Sequence, residues 1–263
     1  MHKKDLDRSR KWFCEYVASF YGDNAYINAN LKLKEEHTFA VCKEMAYLTE
    51  QLGLDTNNKL IAEIVALFHD IGRFRQFIEY HTYCDRRSTN HCLLALKVLK
   101  ENNIFDIFEP REKKIIETAI EFHGAKQLPS DLDQDTALFA KLIRDADKLD
   151  IFRVVIEYSK IYQADPENFL VEIEFPDVPQ LSPGIVQAIL KGKLINYNEI
   201  QTLNDMKLMQ LGWVFDVNFI GTFKRIKEQK LLETILTFLP DNNDTRKIKE
   251  VILEYVDSKI RGN

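Results

Sequence analysis

Residues 58–73 read NKLIAEIVALFHDIGR, and this stretch decides the predicted fold. Its apolar residues recur at spacings of three and four, as on the buried face of an α-helix: Ile61, Ile64, Val65 and Phe68. His69 and Asp70 follow at the last turn, and Gly72 then looks like a natural left-handed stop. Because a buried unpaired carboxylate is costly, we expect this helix end to meet a partner for its ionisable groups.

Helical periodicity continues through most of the chain, and only 9 glycines and 7 prolines interrupt its 263 residues. Candidate helices cover about 5–20, 34–53, 58–71, 90–101, 111–123, 136–162, 184–191, 197–208, 209–238 and 245–260. The stretch VEIEF (171–175) alternates with period two and is a candidate strand without an obvious partner. The pattern therefore predicts an all-α fold.

A single domain over 1–263 is the simplest prediction of domain organisation. Within it we expect a metal-binding core at about 34–160 and a C-terminal helical extension at about 184–263. The loop at 163–183 carries four of the seven prolines, so a boundary between a front unit and a C-terminal one could fall there.

Composition excludes several classes of protein. The net charge of −5 gives no reason to expect a nucleic-acid or anionic-membrane surface. The start of the chain, MHKKDLDRSRKW, is charged where a signal peptide is apolar, and no window approaches the roughly 20 apolar residues of a membrane span. The four cysteines lack CxxC spacing and are expected to be reduced thiols. We expect a cytoplasmic protein, and an oligomer is compatible with the sequence.

Ionisable residues occupy or adjoin core-facing positions in five successive predicted helices. They are His37, His69, Asp70, His91, His123 and Asp147. Taken alone, each histidine is explained as a core residue bonded to a neighbouring carbonyl. Together, the six are better explained by bound metal, which supplies the positive charge that the aspartates need and accepts neutral imidazole as a ligand.

The ligand types narrow the choice of metal. No cysteine joins the pattern, which disfavours a structural zinc site. Four histidines and two aspartates exceed one tetrahedral site and fit two divalent ions, among Fe, Mn, Co, Ni, Zn and Mg. A carboxylate bridging two such ions, with a hydroxide between them, would give an activated nucleophile at neutral pH.

Four of these residues also resemble a family signature. His37, the pair His69-Asp70 and the distant Asp147 are similar to the H…HD…D motif of the HD superfamily of metal-dependent phosphohydrolases. The neighbouring stretches FHDIGRF and LIRDADKLD resemble that family too, and the resemblance covers about 34–160. It implies an all-helical HD-domain/phosphodiesterase-like bundle.

The resemblance also implies roles for individual residues. The four signature residues would hold a first metal, with Asp70 bridging to a second. His91 and His123 match the two extra histidines of the binuclear branch. The cyclic-dinucleotide branch also has a second adjacent histidine and a GYP tripeptide. Neither stands in EFHGAKQLPSD, so that activity is not indicated.

Three cations are candidates for substrate binding. Arg73 stands where some single-metal nucleotidases of the superfamily carry a catalytic acid, and it resembles the cation of the HDIGK/R form, which contacts a substrate phosphate. Arg144 and Lys148 flank Asp147 in sequence. An ordinary salt bridge with a neighbouring aspartate explains either of them equally well.

The sequence thus predicts hydrolysis of a phosphate ester or anhydride in a small molecule or nucleotide. Asp70 would bridge the metals and orient the nucleophile, while Arg73 and Lys148 would neutralise charge in the transition state. The alternatives are a di-iron oxygenase of the same superfamily and a non-catalytic nucleotide-binding sensor. The substrate, the native metal and the oligomeric state stay open.

Overall fold

A computed structural model describes residues 1–262, and this part of the chain contains α-helices and short 3₁₀ segments but no strand. The α-helices are α1 (Lys3–Ala18), α2 (Ala25–Gln51), α3 (Thr56–Phe68), α4 (Gly72–Tyr80), α5 (His91–Glu101), α6 (Pro110–Phe122), α7 (Gln134–Ala164), α8 (Pro183–Leu190), α9 (Leu203–Gly212), α10 (Ile220–Glu228), α11 (Leu231–Leu236) and α12 (Asn243–Arg261). The all-α prediction is confirmed. None of the helices in the described residues is both long enough and apolar enough to cross a membrane.

Several predicted elements differ from the structure. The candidate strand 171–175 is irregular, and the predicted helix 209–238 is divided among α9, α10 and α11. Lys230, with a left-handed backbone (φ 51°), separates α10 from α11. Helix α2 begins well before residue 34, because the Asn24 side chain caps it by accepting from the backbone N–H of Ile27. Helix α4 was not predicted.

The chain packs as two compact units. The first comprises Met1–Asp147 together with Leu170–Glu172, and the second comprises Lys148–Phe169 and the described residues from Ile173 to Gly262. The single domain over 1–263, with its core at about 34–160, stays a prediction.

The core of the first unit is aromatic and aliphatic. Phe68, Phe74 and Phe77 are fully buried in it. Helix α1 contributes Phe13, whose ring lies edge-on to Phe74 with centroids 6.0 Å apart. The first helix is therefore part of this core and not an appendage to it.

A short segment from after α7 also belongs to the first unit. The buried side chain of Asn30 donates to the carbonyl of Leu170 and accepts from the N–H of Glu172, both at 2.9 Å. The Glu172 carboxylate in turn accepts from the hydroxyl of Thr82 and, at 2.8 Å, from the N–H of Tyr83. Residues 170–172 thereby fix the loop that follows α4, and we call them the strap.

The second unit is held by its own helices, α8 to α12, and the end of α7. Its core includes Ile189, Leu208, Ile248 and Ile252. The buried Asp205 organises the entry to α8, because its carboxylate accepts from the N–H and the hydroxyl of Ser182 at 2.8 and 2.7 Å.

Candidate metal centre

Six side chains of the first unit converge from five helices or their ends. His37 lies in α2, His69 and Asp70 follow α3, His91 begins α5, His123 follows α6, and Asp147 lies in α7. His69 is fully buried, and His37 and Asp70 are 1% and 3% exposed. All six residues predicted as metal ligands are thus brought together, and metal binding by them stays a prediction.

Asp70 lies at the centre of the cluster, and each of its oxygens faces a different pair of imidazoles. Oδ2 lies 3.7 Å from Nε2 of His37 and 3.8 Å from Nε2 of His69. Oδ1 lies 3.7 Å from Nε2 of His91 and 3.6 Å from Nε2 of His123. One carboxylate therefore joins two halves of the site.

Asp147 completes the first of these halves. Its Oδ1 lies 3.1 Å from Nε2 of His37 and 3.9 Å from Nε2 of His69. The fully buried Nε2 of His69 has no hydrogen-bond partner in the structure. Buried polar atoms of that kind are rare, and a cation between these atoms would satisfy the nitrogen and both carboxylates.

Three of the imidazoles are oriented by the bond at their other nitrogen. His69 donates from Nδ1 to the carbonyl of Ala66 at 2.8 Å, and His123 donates from Nδ1 to the carbonyl of Ile120 at 2.7 Å. His91 donates from Nδ1 to the carboxylate of Asp85 at 2.6 Å. Since carbonyls and carboxylates only accept, Nδ1 carries a proton in each of the three rings, and in the neutral form of a ring Nε2 is the nitrogen that faces the cluster with a lone pair.

Burial and charge act in opposite directions on these groups. Burial lowers the pKa of His69 to about 4, so this imidazole is neutral at neutral pH. Burial alone would raise the pKa of Asp70, but Lys34, His69 and Arg73 hold it well below its usual value. The cluster therefore offers an ionised carboxylate beside a neutral imidazole, which are the forms that bind metal.

Two cations lie directly against Asp70. The ammonium of Lys34 is 2.8 Å from Oδ2, and Nε of Arg73 is 3.4 Å from Oδ1. Arg73 also donates from one amino group to the carbonyl of Tyr83 at 2.6 Å and to Asp85 at 3.0 Å. Its buried Nε has no hydrogen-bond partner. One amino group therefore anchors Arg73, while Nε remains beside the cluster as a donor.

Cys92 also lies in the cluster, and the expectation that no cysteine joins it was wrong. Its Sγ is 3.4 Å from Nε2 of His91 and 3.5 Å from Nδ1 of His123. Burial raises the pKa of the Cys92 thiol, but the two histidines lower it to about 5. Burial also lowers the pKa of His123, which Cys92 and Asp70 hold well above its ordinary value.

The glycines near the site allow close approach, and the expected left-handed stop at Gly72 was wrong. Gly72 is the first residue of α4, and a Cβ built there would lie 2.5 Å from the carbonyl oxygen of His91. At Gly124 a Cβ would lie 3.2 Å from Cε1 of His91 and 3.3 Å from Sγ of Cys92. Both positions therefore keep backbone close to His91.

The other predicted substrate ligands have partners of their own. Arg144 is buried and donates from Nη1 to the carbonyls of Phe122, His123 and Ala125, so its guanidinium caps the end of α6. Lys148 belongs to the second unit, where its ammonium lies 2.8 Å from Asp216. Contact of either residue with a substrate stays a prediction.

Sequence reasoning missed three residues: Lys34, Asp85 and Cys92. Lys34 lies one helical turn before His37 on the same face, a spacing that could have indicated it. Asp85 lies in the loop after α4, and Cys92 is adjacent to His91 in sequence. No periodicity signals either of them, because their positions depend on how other elements pack.

In a comparison with protein families, residues 35–151 match the family described as HD domain. The matched range contains all six clustered histidines and aspartates. Comparisons with curated proteins and with solved structures found no match.

Proposed function

Because residues 35–151 form an HD domain, we propose that the protein is a metal-dependent phosphohydrolase acting on a small phosphate ester, anhydride or nucleotide. The arrangement around Asp70 carries this proposal. Each of its oxygens faces a separate pair of imidazole nitrogens at 3.6 to 3.8 Å, in a buried cluster. A carboxylate placed in this way suits a bridge between two divalent cations.

The donors divide into two ligand sets that share Asp70. One set contains His37, His69 and Asp147, and the other contains His91 and His123. Bound divalent cations would polarise the phosphoryl group and lower the pKa of water, so that a nucleophile forms at neutral pH. The imidazoles need no reorientation for this role, because Asp85 and two backbone carbonyls already fix three of them.

Arg73 is the residue we propose to contact the substrate phosphate. Its guanidinium is anchored by Asp85 and the Tyr83 carbonyl, while its buried Nε lacks a hydrogen-bond partner and faces Asp70. A planar cation held next to the ligands suits a non-bridging phosphate oxygen. Lys34 would balance the charge of Asp70, and we keep Arg144 and Lys148 as weaker candidates for binding phosphate.

The proposal is tested with Asp70→Asn. We expect it to abolish hydrolysis of phosphomonoesters and nucleotides assayed with Mn²⁺, and to lower the metal content measured by elemental analysis. Circular dichroism would check that the helical fold persists, and Asp131→Asn, at an exposed loop position, is the matched control. Wild-type turnover in Asp70→Asn would contradict the assignment.

Assays of the wild-type protein distinguish the proposed function from its two alternatives. Metal and nucleotide binding without turnover of any phosphate ester would favour the sensor alternative. Tightly held iron with oxygen consumption and no hydrolysis would favour the oxygenase alternative. Either result would replace the proposed reaction while retaining the metal centre.

A further inference from the structure

The half of the cluster formed by His91 and His123 contains a third donor atom. Sγ of Cys92, one ring nitrogen of His91 and one ring nitrogen of His123 all lie within 4.8 Å of one another. The shorter separations are 3.4 Å between Sγ and Nε2 of His91, and 3.1 Å between the two Nε2 atoms. Oδ1 of Asp70 lies 3.6 and 3.7 Å from those same two nitrogens.

These separations match the ligand spacing around a single tetrahedral ion. With metal–sulfur bonds of about 2.3 Å and metal–nitrogen bonds of about 2.0–2.1 Å, neighbouring ligand atoms stand roughly 3.3–3.6 Å apart. The observed range of 3.1 to 3.7 Å lies around that value. His91, His123 and Asp70 therefore stand at the ligand spacing of one ion, and Sγ of Cys92 stands at that spacing from His91.

The surroundings of Cys92 fit a ligand better than a core residue. A structural buried cysteine behaves as a small apolar side chain, whereas Sγ here lies against the nitrogens of two imidazoles. Cys92 is 3% exposed and lies in the first turn of α5, where the helix dipole favours a thiolate. Gly124 leaves the space beside the sulfur open, since a Cβ would come within 3.3 Å of it.

We propose that Cys92 is a thiolate ligand of the second metal, together with His91, His123 and Asp70. The two halves of the centre then differ in chemistry. The half containing His37, His69 and Asp147 offers nitrogen and oxygen, while the Cys92 half offers sulfur as well. Thiolate prefers soft or borderline cations, so this half selects Zn²⁺, Co²⁺ or Fe²⁺ over Mn²⁺ and Mg²⁺. The inference rests on the metal centre of the proposed function and not on the reaction.

Cobalt spectroscopy of the full-length protein tests this ligand directly. Wild-type protein titrated with Co²⁺ should develop a thiolate-to-cobalt charge-transfer band in the near ultraviolet. Cys92→Ser should lack the band and bind Co²⁺ at least about 10-fold more weakly, the smallest loss that removing even an outer-shell partner usually causes. Its affinity for Mn²⁺ should change less. Cys42→Ser, in the middle of α2, is the matched control and should keep the band.

A second variant covers the case in which Cys92→Ser does not fold. The combined change Cys14→Ser, Cys42→Ser and Cys84→Ser leaves Cys92 as the sole thiol, and it should retain the whole charge-transfer band. Co²⁺ bound at the wild-type stoichiometry without any such band would overturn the proposal, as would a band that persists in folded Cys92→Ser. A normal band in a protein that hydrolyses no phosphate ester would contradict the proposed reaction and leave the Cys92 ligand standing.

Discussion

The contact between α4 and α5 at Gly72 allows a prediction whose magnitude follows from the structure. In Gly72→Ala the new Cβ would lie 2.5 Å from the carbonyl oxygen of His91 and 2.6 Å from the backbone nitrogen of Ala95. Favourable contacts between non-bonded heavy atoms begin near about 3.5 Å, so the two helices must separate by roughly 1 Å. Both contacts are with backbone, which no rotamer change can relieve.

The free energy of unfolding should therefore fall. Overpacking of this kind costs about 1–3 kcal/mol, whereas replacing a helical glycine by alanine gains at most about 1 kcal/mol. The clash outweighs the gain, and we expect a net loss of about 1–2 kcal/mol. For a chain of this size that corresponds to a midpoint lower by about 2–8 °C. The metal content should fall too, because the displaced backbone carries His91.

Urea and thermal unfolding followed by circular dichroism would measure the loss, with metal content determined on the same samples. Gly184→Ala is the matched control: Gly184 is also helical, and no atom would lie within 4 Å of the added methyl group. That variant should be as stable as wild type or up to about 1 kcal/mol more stable. A Gly72→Ala protein with the wild-type midpoint and metal content would refute the reasoning.

Three further predictions concern other parts of the first unit. Burial alone would raise the pKa of Asp85, but the hydrogen bond with His91 brings this pKa down to about 2. The Asp85 carboxylate therefore stabilises the fold at pH values above its unfolded pKa of about 3.9, and this stabilisation is lost as the pH falls toward 2. In urea unfolding, Asp85→Asn should be less stable than wild type at neutral pH, and the difference should vanish in acid; a pH-independent difference would contradict this. Burial and Glu63 raise the pKa of Cys42 to about 12, whereas Cys14 is exposed. Iodoacetamide at pH 8 should therefore label Cys14 before Cys42, as measured by mass spectrometry, and equal labelling of the two would contradict this prediction. Phe13→Ala should cost about 3–5 kcal/mol in urea unfolding because this ring is fully buried, and a loss below about 1 kcal/mol would show that α1 is dispensable.

The sequence predicted the helical fold and the six clustered residues for a definite physical reason. His37, His91 and His123 stand three or four residues from an apolar stripe, so helical geometry alone turns them toward the core. That argument reaches only residues whose direction is set by their own helix. Cys92 lies beside His123 because α5 packs against the end of α6, and local periodicity does not encode that packing.

The boundaries of the helices were likewise predictable where a local signal sets them and not where packing sets them. The Asn24 cap that begins α2 is a local signal, and an earlier start would have placed Lys34 in the interior of the helix instead of at its first residue. The interruption at Lys230 and the short helix α4 have weaker signals. Helix α4 does have a helical spacing, since Phe74 and Phe77 are buried three residues apart, but it is only nine residues long. At Lys230 no glycine marks the left-handed residue that separates α10 from α11.

The strap and α1 belong to the first unit but lie outside the stretch that matches the family. The family match ends at residue 151, before the strap at 170–172, and begins at residue 35, after Phe13 and Asn30. A protein cut at those limits would open the aromatic core beside Phe74 and leave the N–H of Tyr83 without the Glu172 carboxylate. The part of the chain that builds the first unit is therefore wider than the stretch that matches the family, because it also needs α1, Asn30 and the strap.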